Sequence, residues 1–411
     1  MSKVQKPIIL DETGKKIAEH LQTQNMLLNA IANTAIANTS SLEDIHNIVR
    51  AGKAQDMFHI GDQIVVPWTD KATGITYQVP HDIVHFGNVT LADGEEVPAM
   101  FLQWHYATPF GVQFDNYEAF YHCKDAVLKA GTYNITMGNS WGNNVVADKV
   151  YQFTLTKDVP VGGVLCGFRA MPDQAPNTWT VSSYESITAT EAIETVKVTE
   201  GSAGTSLGTL SANTPYSADA VLNAMHRVGY GYNRWSQSAI RQWLNSDADV
   251  NAWWLAQNQF DRAPDQLATK AGFMSGYGDD FLKTLGKVKV TTALNTVTDG
   301  DIEDDDLEDT YDTFFLPALV NMHINPQLAG EGDIFEYWKR VSESATPLAQ
   351  GGTFPQMRTF AIENPTSPQS VRLRSSNRGS ASNTWSVNSS GYVDGSNAIY
   401  AYRCAPVCAM C

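Results

Sequence analysis

No stretch of this 411-residue chain stays apolar over the length of a bilayer span, about 20 residues. Insertion into a membrane is therefore not expected. Cysteine is scarce: the five residues, Cys123, Cys166, Cys404, Cys408 and Cys411, do not form a disulfide framework. The last three have no histidine nearby and are not read as a metal pattern. Basic charge is also short, with 28 Lys and Arg against 44 Asp and Glu and a formal net charge of -16. Phosphate binding needs a basic face, so nucleic acid is not expected as a partner. The opening residues, MSKVQKPIILDETGKK, lack an apolar signal core with a small-residue cleavage site, so synthesis in the cytoplasm is expected. No Ser-His-Asp pattern, phosphate loop or zinc-binding helix occurs. The chain is expected not to be an enzyme and to carry no cofactor, although a glycosidase carboxylate pair forms only in space. What remains, 43% hydrophobic and 10% aromatic, is globular and long enough for two or three cores.

The most informative absence is local. Residues 370–409 contain no Lys, Glu, Gln or Met, although the chain holds 16, 16, 19 and 11 of them. About six would be expected in a window of that length. The window is mostly Ser, Asn, Gly, Ala and Tyr, the types that fill antibody paratopes. A coding argument accounts for the gap. If the two adenines of an Asn codon become any base, the products include Asn, Ser, Thr, Asp, Gly, Ala, Val, Arg, Tyr and Cys. Lys, Glu, Gln, Met and Trp cannot arise. Trp385 then reads as a fixed scaffold position. A disordered Ser/Asn tail is the simpler alternative. Against it, Val371, Leu373, Trp385, Val387, Val393, Ile399, Tyr400 and Tyr402 alternate locally as strands do.

Leu373-Arg374-Ser375, Trp385-x-Val387, Gly391-x-Val393, Ala398 and Arg403-x-Ala405-Pro406 resemble the end of a C-type-lectin-like domain. More closely, they resemble the variable proteins diversified by retroelements that mutate adenines, common in bacteriophages of gut bacteria. In that family a Trp usually precedes Leu-Arg-Ser; here Arg372 stands there. Formylglycine-generating enzymes share the fold, but Cys404 and Cys408 do not sit in their motif.

Along the chain, residues 11–38 predict a helix with a short heptad seam at Ile17, Leu21, Leu28 and Ile31. The competing readings are an assembly helix and a surface helix. Ser41-Leu42-Glu43-Asp44 predicts a second helix through Val49. The stretch from Ile48 to Val66, with Ala51-Gly52-Lys53-Ala54 and Ile60-Gly61-Asp62, resembles the opening of the lectin-like group. Strands are expected at 75–79, 83–86 and 99–105. His81, Asp82, His85 and His105 fit no compact metal site. Short strands separated by Gly, Pro and Asn turns over 108–212 predict an all-β sandwich, ending in a flexible loop at 201–206. The lectin-like pattern resumes at 215–217 and continues in a helix at 233–245 capped by Ser236. The carboxylate-rich stretch 299–309 reads as a solvated acidic loop rather than a calcium site.

The expected class is α+β: a C-type-lectin-like domain (43–107 and 213–411) interrupted by a β-sandwich (108–212) and preceded by an oligomerisation or docking helix (1–42). The resemblance implies a phage tail, baseplate or fibre protein that binds a host-surface protein or glycan and assembles with other virion proteins; the heptad seam, read as an assembly helix, implies a homotrimer. The alternatives are a purely structural virion component and a bacterial retroelement-diversified binding protein. The expected ligand-facing residues are Arg372, Ser376, Asn377, Arg378, Ser380, Ser382, Asn383, Ser386, Asn388, Ser390, Tyr392, Asp394, Asn397, Tyr400, Tyr402 and Cys404. With Arg372, Arg374, Arg378 and Arg403 against Asp394 alone, the window is locally basic and suits an acidic glycan. Leu373, Trp385, Val387 and Val393 are expected to be core anchors.

Overall fold

A computed structural model describes residues 41–116, 119–123, 127–137, 147–160, 163–167, 178–186, 189–210, 225–227, 232–257, 261, 263–296, 306–350 and 360–411. The expected helix at 11–38, the resumption at 215–217 and most of the acidic stretch lie outside these residues.

Helix α1 (Leu42–Arg50) opens with a capping box. The Ser41 side chain accepts from the Asp44 amide, and the Asp44 carboxylate accepts from the Ser41 amide. Ile45 and Val49, four residues apart, turn one face into the core. After a short helix α2 (Ala54–Met57), strands β1 (Gln63–Asp70), β2 (Ile75–Thr90) and β3 (Glu96–Trp104) form an antiparallel meander. The two strands expected at 75–79 and 83–86 are one strand. A register shift between Ile83 and His85 bends it without breaking its pairing to β3.

Among the described residues nine strands follow: β4 (Ala119–Cys123), β5 (Gly131–Met137), β6 (Val150–Leu155), β7 (Val164–Gly167), β8 (Thr178–Ser186), β9 (Ala189–Lys197), β10 (Thr199–Glu200), β11 (Thr205–Leu210) and β12 (Met225–Arg227). They make two sheets, ordered β10-β6-β5-β11 and β12-β4-β7-β8-β9. Among these described strands β11 pairs with β5 in parallel and the others pair antiparallel. Their buried side chains, among them Ile135, Phe153, Val181 and Leu207, stand apart from the main core cluster. The expected boundaries at 108 and 212 need correction. Ala107, Val112 and Phe114 are buried in the main core, whereas β12 pairs with β4. The chain leaves the main body after Asn116 and is back by Tyr232. Phe114 lies 6.1 Å from Trp235, ring centre to ring centre, and its carbonyl accepts from the Ile240 amide. The loop expected to be flexible at 201–206 is tied down: Asn134 Nδ2 donates to the carbonyls of Ser202, Ala203 and Gly204 at 3.1–3.2 Å.

The remaining elements are α3 (Ala239–Leu244), α4 (Asp279–Leu282), β13 (Val288–Ala293), β14 (Leu307–Asp312), β15 (Phe314–Phe315), α5 (Glu336–Val341), β16 (Phe360–Ala361), β17 (Asn364–Pro368), β18 (Val371–Ser376), β19 (Asn383–Val387), β20 (Val393–Asn397) and β21 (Val407–Met410). Ser238, not Ser236, caps α3, its hydroxyl accepting from the Arg241 amide; a 3-10 turn occupies Trp235–Gln237. Leu307–Asp309, expected in the acidic loop, begin β14 and pair with β13. Strand β21 enters the first sheet beside β3, giving the order β1-β2-β3-β21-β15. The early and late parts of the chain thus share one sheet, with the β-rich insertion between them. Against this sheet packs an aromatic core in which Phe273 lies 5.1 Å from Trp243, 5.1 Å from Phe314 and 5.4 Å from Trp104. The fold is α+β, with strands dominant.

Candidate C-terminal binding face

Strands β18, β19 and β20 form a separate antiparallel sheet, with Trp385 opposite Gly395 and Ser386 opposite Asp394. Val371, Leu373, Val387 and Val393 are buried in the main core cluster. Trp385 joins them at 8% exposure and donates from Nε1 to Gln327 Oε1. By contrast, Tyr400 is 46% and Tyr392 39% exposed. The expected anchors are thus buried, but alternation does not carry through the sheet: all six residues of β18 are buried.

The expected contact residues separate into two groups. Ser390, Tyr392, Asp394 and Tyr400 are exposed, and Asn377, Asn383, Asn388, Asn397 and Tyr402 are half-buried. Arg372, Ser376, Arg378, Ser380, Ser382, Ser386 and Cys404 are buried, which corrects their assignment as contacts. Each has a structural use. Ser376 Oγ donates to the Asn233 carbonyl at 2.9 Å, and Arg378 Nη1 to the Leu294 carbonyl at 2.7 Å. Ser380 and Ser382 share a hydroxyl contact at 3.2 Å. Ser386 Oγ reaches the Asp394 carbonyl at 3.2 Å, tying β19 to β20. Cys404 lies beside Thr108 Oγ1, and burial pushes its thiol up to about 12, far from a reactive thiolate. Asn388 is committed to a turn: its side-chain oxygen accepts from the Ser390 and Tyr392 amides, and Gly391 supplies the left-handed φ of 84°.

Arg372 is fully buried. Its Nη1 donates to Thr384 Oγ1 at 2.7 Å and the Ser396 carbonyl at 2.9 Å. Its Nη2 donates to the carbonyls of Asn397 and Tyr400 at 2.8 and 3.1 Å. Desolvation pushes this guanidinium down to about 9. Arg374, also buried, donates to Asn321 Oδ1 at 2.7 Å and to the Leu316 carbonyl at 2.8 Å. The neighbouring Ser375 hydroxyl donates to Glu331 Oε2 at 2.8 Å. Arg374 and Ser375 thus form an internal clasp on Glu331. Arg403 pairs with Glu363. Arg372, Arg374 and Arg378 are buried and Arg403 is paired, so little of the window's basic charge is left free on the exposed face.

Asn233, which sequence reasoning passed over, lies beneath this face and is fully buried. Its Nδ2 donates to the carbonyls of Ser380 and Asn383 at 2.6 and 2.7 Å. Only its place in the 233–245 motif hinted at a role. A cavity of about 290 Å³ lies elsewhere, between His85, Phe101, Phe335 and Arg374. Arg374 donates from all three guanidinium nitrogens to protein oxygens, which leaves that cavity without an available buried cation.

The early histidines are built into the main body. His81 Nδ1 donates to the Val79 carbonyl, and its Nε2 accepts from the Tyr277 hydroxyl, which itself accepts from Trp104 Nε1. Asp82 binds Gln63 and His105. His85 stacks on Phe335 at 5.7 Å. Among the described residues, no three His, Cys, Asp or Glu side chains converge as a metal site. No described helix is long and apolar enough to cross a membrane.

Residues 216–410 match a family model described only as a domain of unknown function, DUF6273. The match covers just under half of the chain and takes in the whole C-terminal face. No curated protein and no solved structure matches the chain.

Proposed function

We propose that this chain is a phage virion protein that binds the host cell surface through its C-terminal face, on a C-type-lectin-like scaffold diversified by a retroelement. The observation that carries this reading is the coincidence of two patterns. The window without Lys, Glu, Gln and Met is also where Tyr392, Asp394, Ser390 and Tyr400 stand exposed over a buried Trp385. Interfaces concentrate binding energy on aromatic anchors, with small polar neighbours supplying adaptable hydrogen bonds. The tyrosines supply the first and the Ser, Asn and Asp residues the second. The protein acts by binding rather than catalysis, and the heptad seam before residue 40 joins it into a homotrimer that docks on other virion proteins.

The test is binding of fluorescently labelled protein to intact cells across a panel of gut bacteria, read by flow cytometry. Tyr392→Ala and Tyr400→Ala should each weaken binding to a responsive strain by about 30-fold, about 2 kcal/mol, with the melting temperature retained. Binding that survives both substitutions unchanged would remove the proposed face. Deleting residues 1–40 should leave a folded but smaller particle in light scattering, of a single chain; an unchanged number of chains per particle would remove the seam as what joins them.

A further inference from the structure

The backbone from Ser396 to Tyr402 is not regular structure beyond Asn397, yet its carbonyls are almost all held from below. Those of Ser396, Asn397 and Tyr400 accept from Arg372. That of Ala398 accepts from the Phe114 and Asp115 amides at 2.9 and 3.2 Å, and that of Ile399 from Gln113 Nε2 at 2.9 Å. That of Tyr402 accepts from the Val112 amide at 3.2 Å. A β-carbon on Gly111 would sit 1.9 Å from the Ala401 carbonyl oxygen, so the 110–114 backbone passes directly beneath. The guanidinium of Arg372 also lies against the Tyr402 ring, 4.5 Å from its centre.

Ala398 and Ile399 are buried, but a loop anchored by its carbonyls does not depend on its exposed side chains for its shape. Carbonyls are the same in every residue, so the anchors survive exchange of what projects outward. Arg suits the task because its planar fork presents several donors at fixed angles and is weakly hydrated, which eases burial beside neutral acceptors. The Nε of Arg372 has no hydrogen-bond partner among the described residues. The guanidinium therefore works through its two terminal nitrogens, both aimed at this loop and the adjoining strand.

We propose that Arg372 is a positioning residue of the C-terminal face. It fixes the 396–402 backbone through carbonyls, so that the exposed side chains of the face can be exchanged without loss of fold. Asn233 does the same for 377–383. The idea rests on the reading of this face as a binding surface, but it is tested without any ligand, so the two can fail separately.

The experiment has two arms. In the first, Ser390→Ala, Tyr392→Ser, Asp394→Asn and Tyr400→Ser are combined while Arg372 is kept. The melting temperature should move by less than about 3 °C, as for surface changes. In the second, hydrogen exchange is followed in Arg372→Met. The amides of Ala398, Tyr400 and Tyr402 should exchange at least about tenfold faster, with the amides of β2 and β3 unchanged, as expected for local opening. Arg372→Lys, which keeps the charge but not the fork, should show the same local loss and decides the matter if the Met variant does not fold. A drop above about 10 °C in the first arm, or unchanged loop exchange in the second, would overturn the proposal.

Discussion

The guanidinium carbon of Arg372 lies 4.5 Å from the centre of the Tyr402 ring, and that ring in turn lies 5.8 Å from Tyr400. The three residues form a ladder from the fully buried Arg372, through the half-buried Tyr402, to Tyr400 at the surface. Among the described residues no carboxylate pairs with Arg372, and its desolvation is offset by hydrogen bonds and stacking. The outer tyrosine is thereby held on a fixed base.

Trp385 and Tyr400 should respond oppositely to truncation. Trp385→Ala removes a large side chain from the core cluster and should cost about 3–5 kcal/mol in urea denaturation. Tyr400→Ala should cost far less, about 0.5 kcal/mol, because Tyr400 is 46% exposed and lies outside the core cluster. Equal losses would contradict the division between scaffold and surface.

Gly111→Ala should disturb the face from outside the window. Its β-carbon would meet backbone, not a flexible side-chain tip, at Ala401 and Tyr402. The cost should be about 1–3 kcal/mol, in line with overpacking. Thermal melting measures it. An unchanged melting temperature would mean that the 399–403 backbone is not pressed against 110–112.

Stability should fall in mild acid through His81. Desolvation of the fully buried ring lowers its pKa from 6.5 to about 4, and the neutral ring can accept from Tyr277 at Nε2. Between those values the unfolded chain binds the proton and the folded chain does not. The contribution is therefore complete above about pH 6.5 and is lost as pH falls toward 4, about 3 kcal/mol in all. His85 and His323, whose pKa values burial also lowers, act in the same direction. Urea midpoints at pH 7 and pH 4.5 should differ accordingly, and His81→Gln should shrink the difference. A flat profile would contradict the buried neutral histidine.

Replacing residues 117–231 with a short linker should leave the main body folded. Phe114 and Trp235, just outside the two ends, already pack together, so a short linker has little distance to span. The shortened chain should melt cooperatively and keep its near-ultraviolet tryptophan signal. Loss of either would show that the insertion supports the body.

The parts legible in the sequence were those with local signals. The capping box at Ser41 and Asp44 follows from spacing, and the apolar anchors Val371, Leu373, Trp385, Val387 and Val393 of β18–β20 from alternation. The α+β class and the β-rich insertion were legible for the same reason. The insertion's boundaries were not, because Val112 and Phe114 are as apolar as any strand and only their contacts place them in the main core. Ser236 and Ser238 are equally good caps by type, and the 3-10 turn at Trp235 decides between them. Arg372 and Asn233 were misread or missed because their partners are backbone carbonyls far along the chain. A carbonyl leaves no residue-type signature, so a long polar side chain among Ser and Asn reads as surface.

The most direct test of a diversified binding face is the DNA around the gene. The account predicts a near-copy of the codons for residues 370–409 close to a reverse-transcriptase gene, differing from the coding copy only at adenines. Those differences should fall on exposed positions such as Tyr392, Asp394 and Tyr400 and spare Arg372 and Trp385. A single copy with no such neighbour, or differences spread evenly over buried and exposed codons, would contradict it.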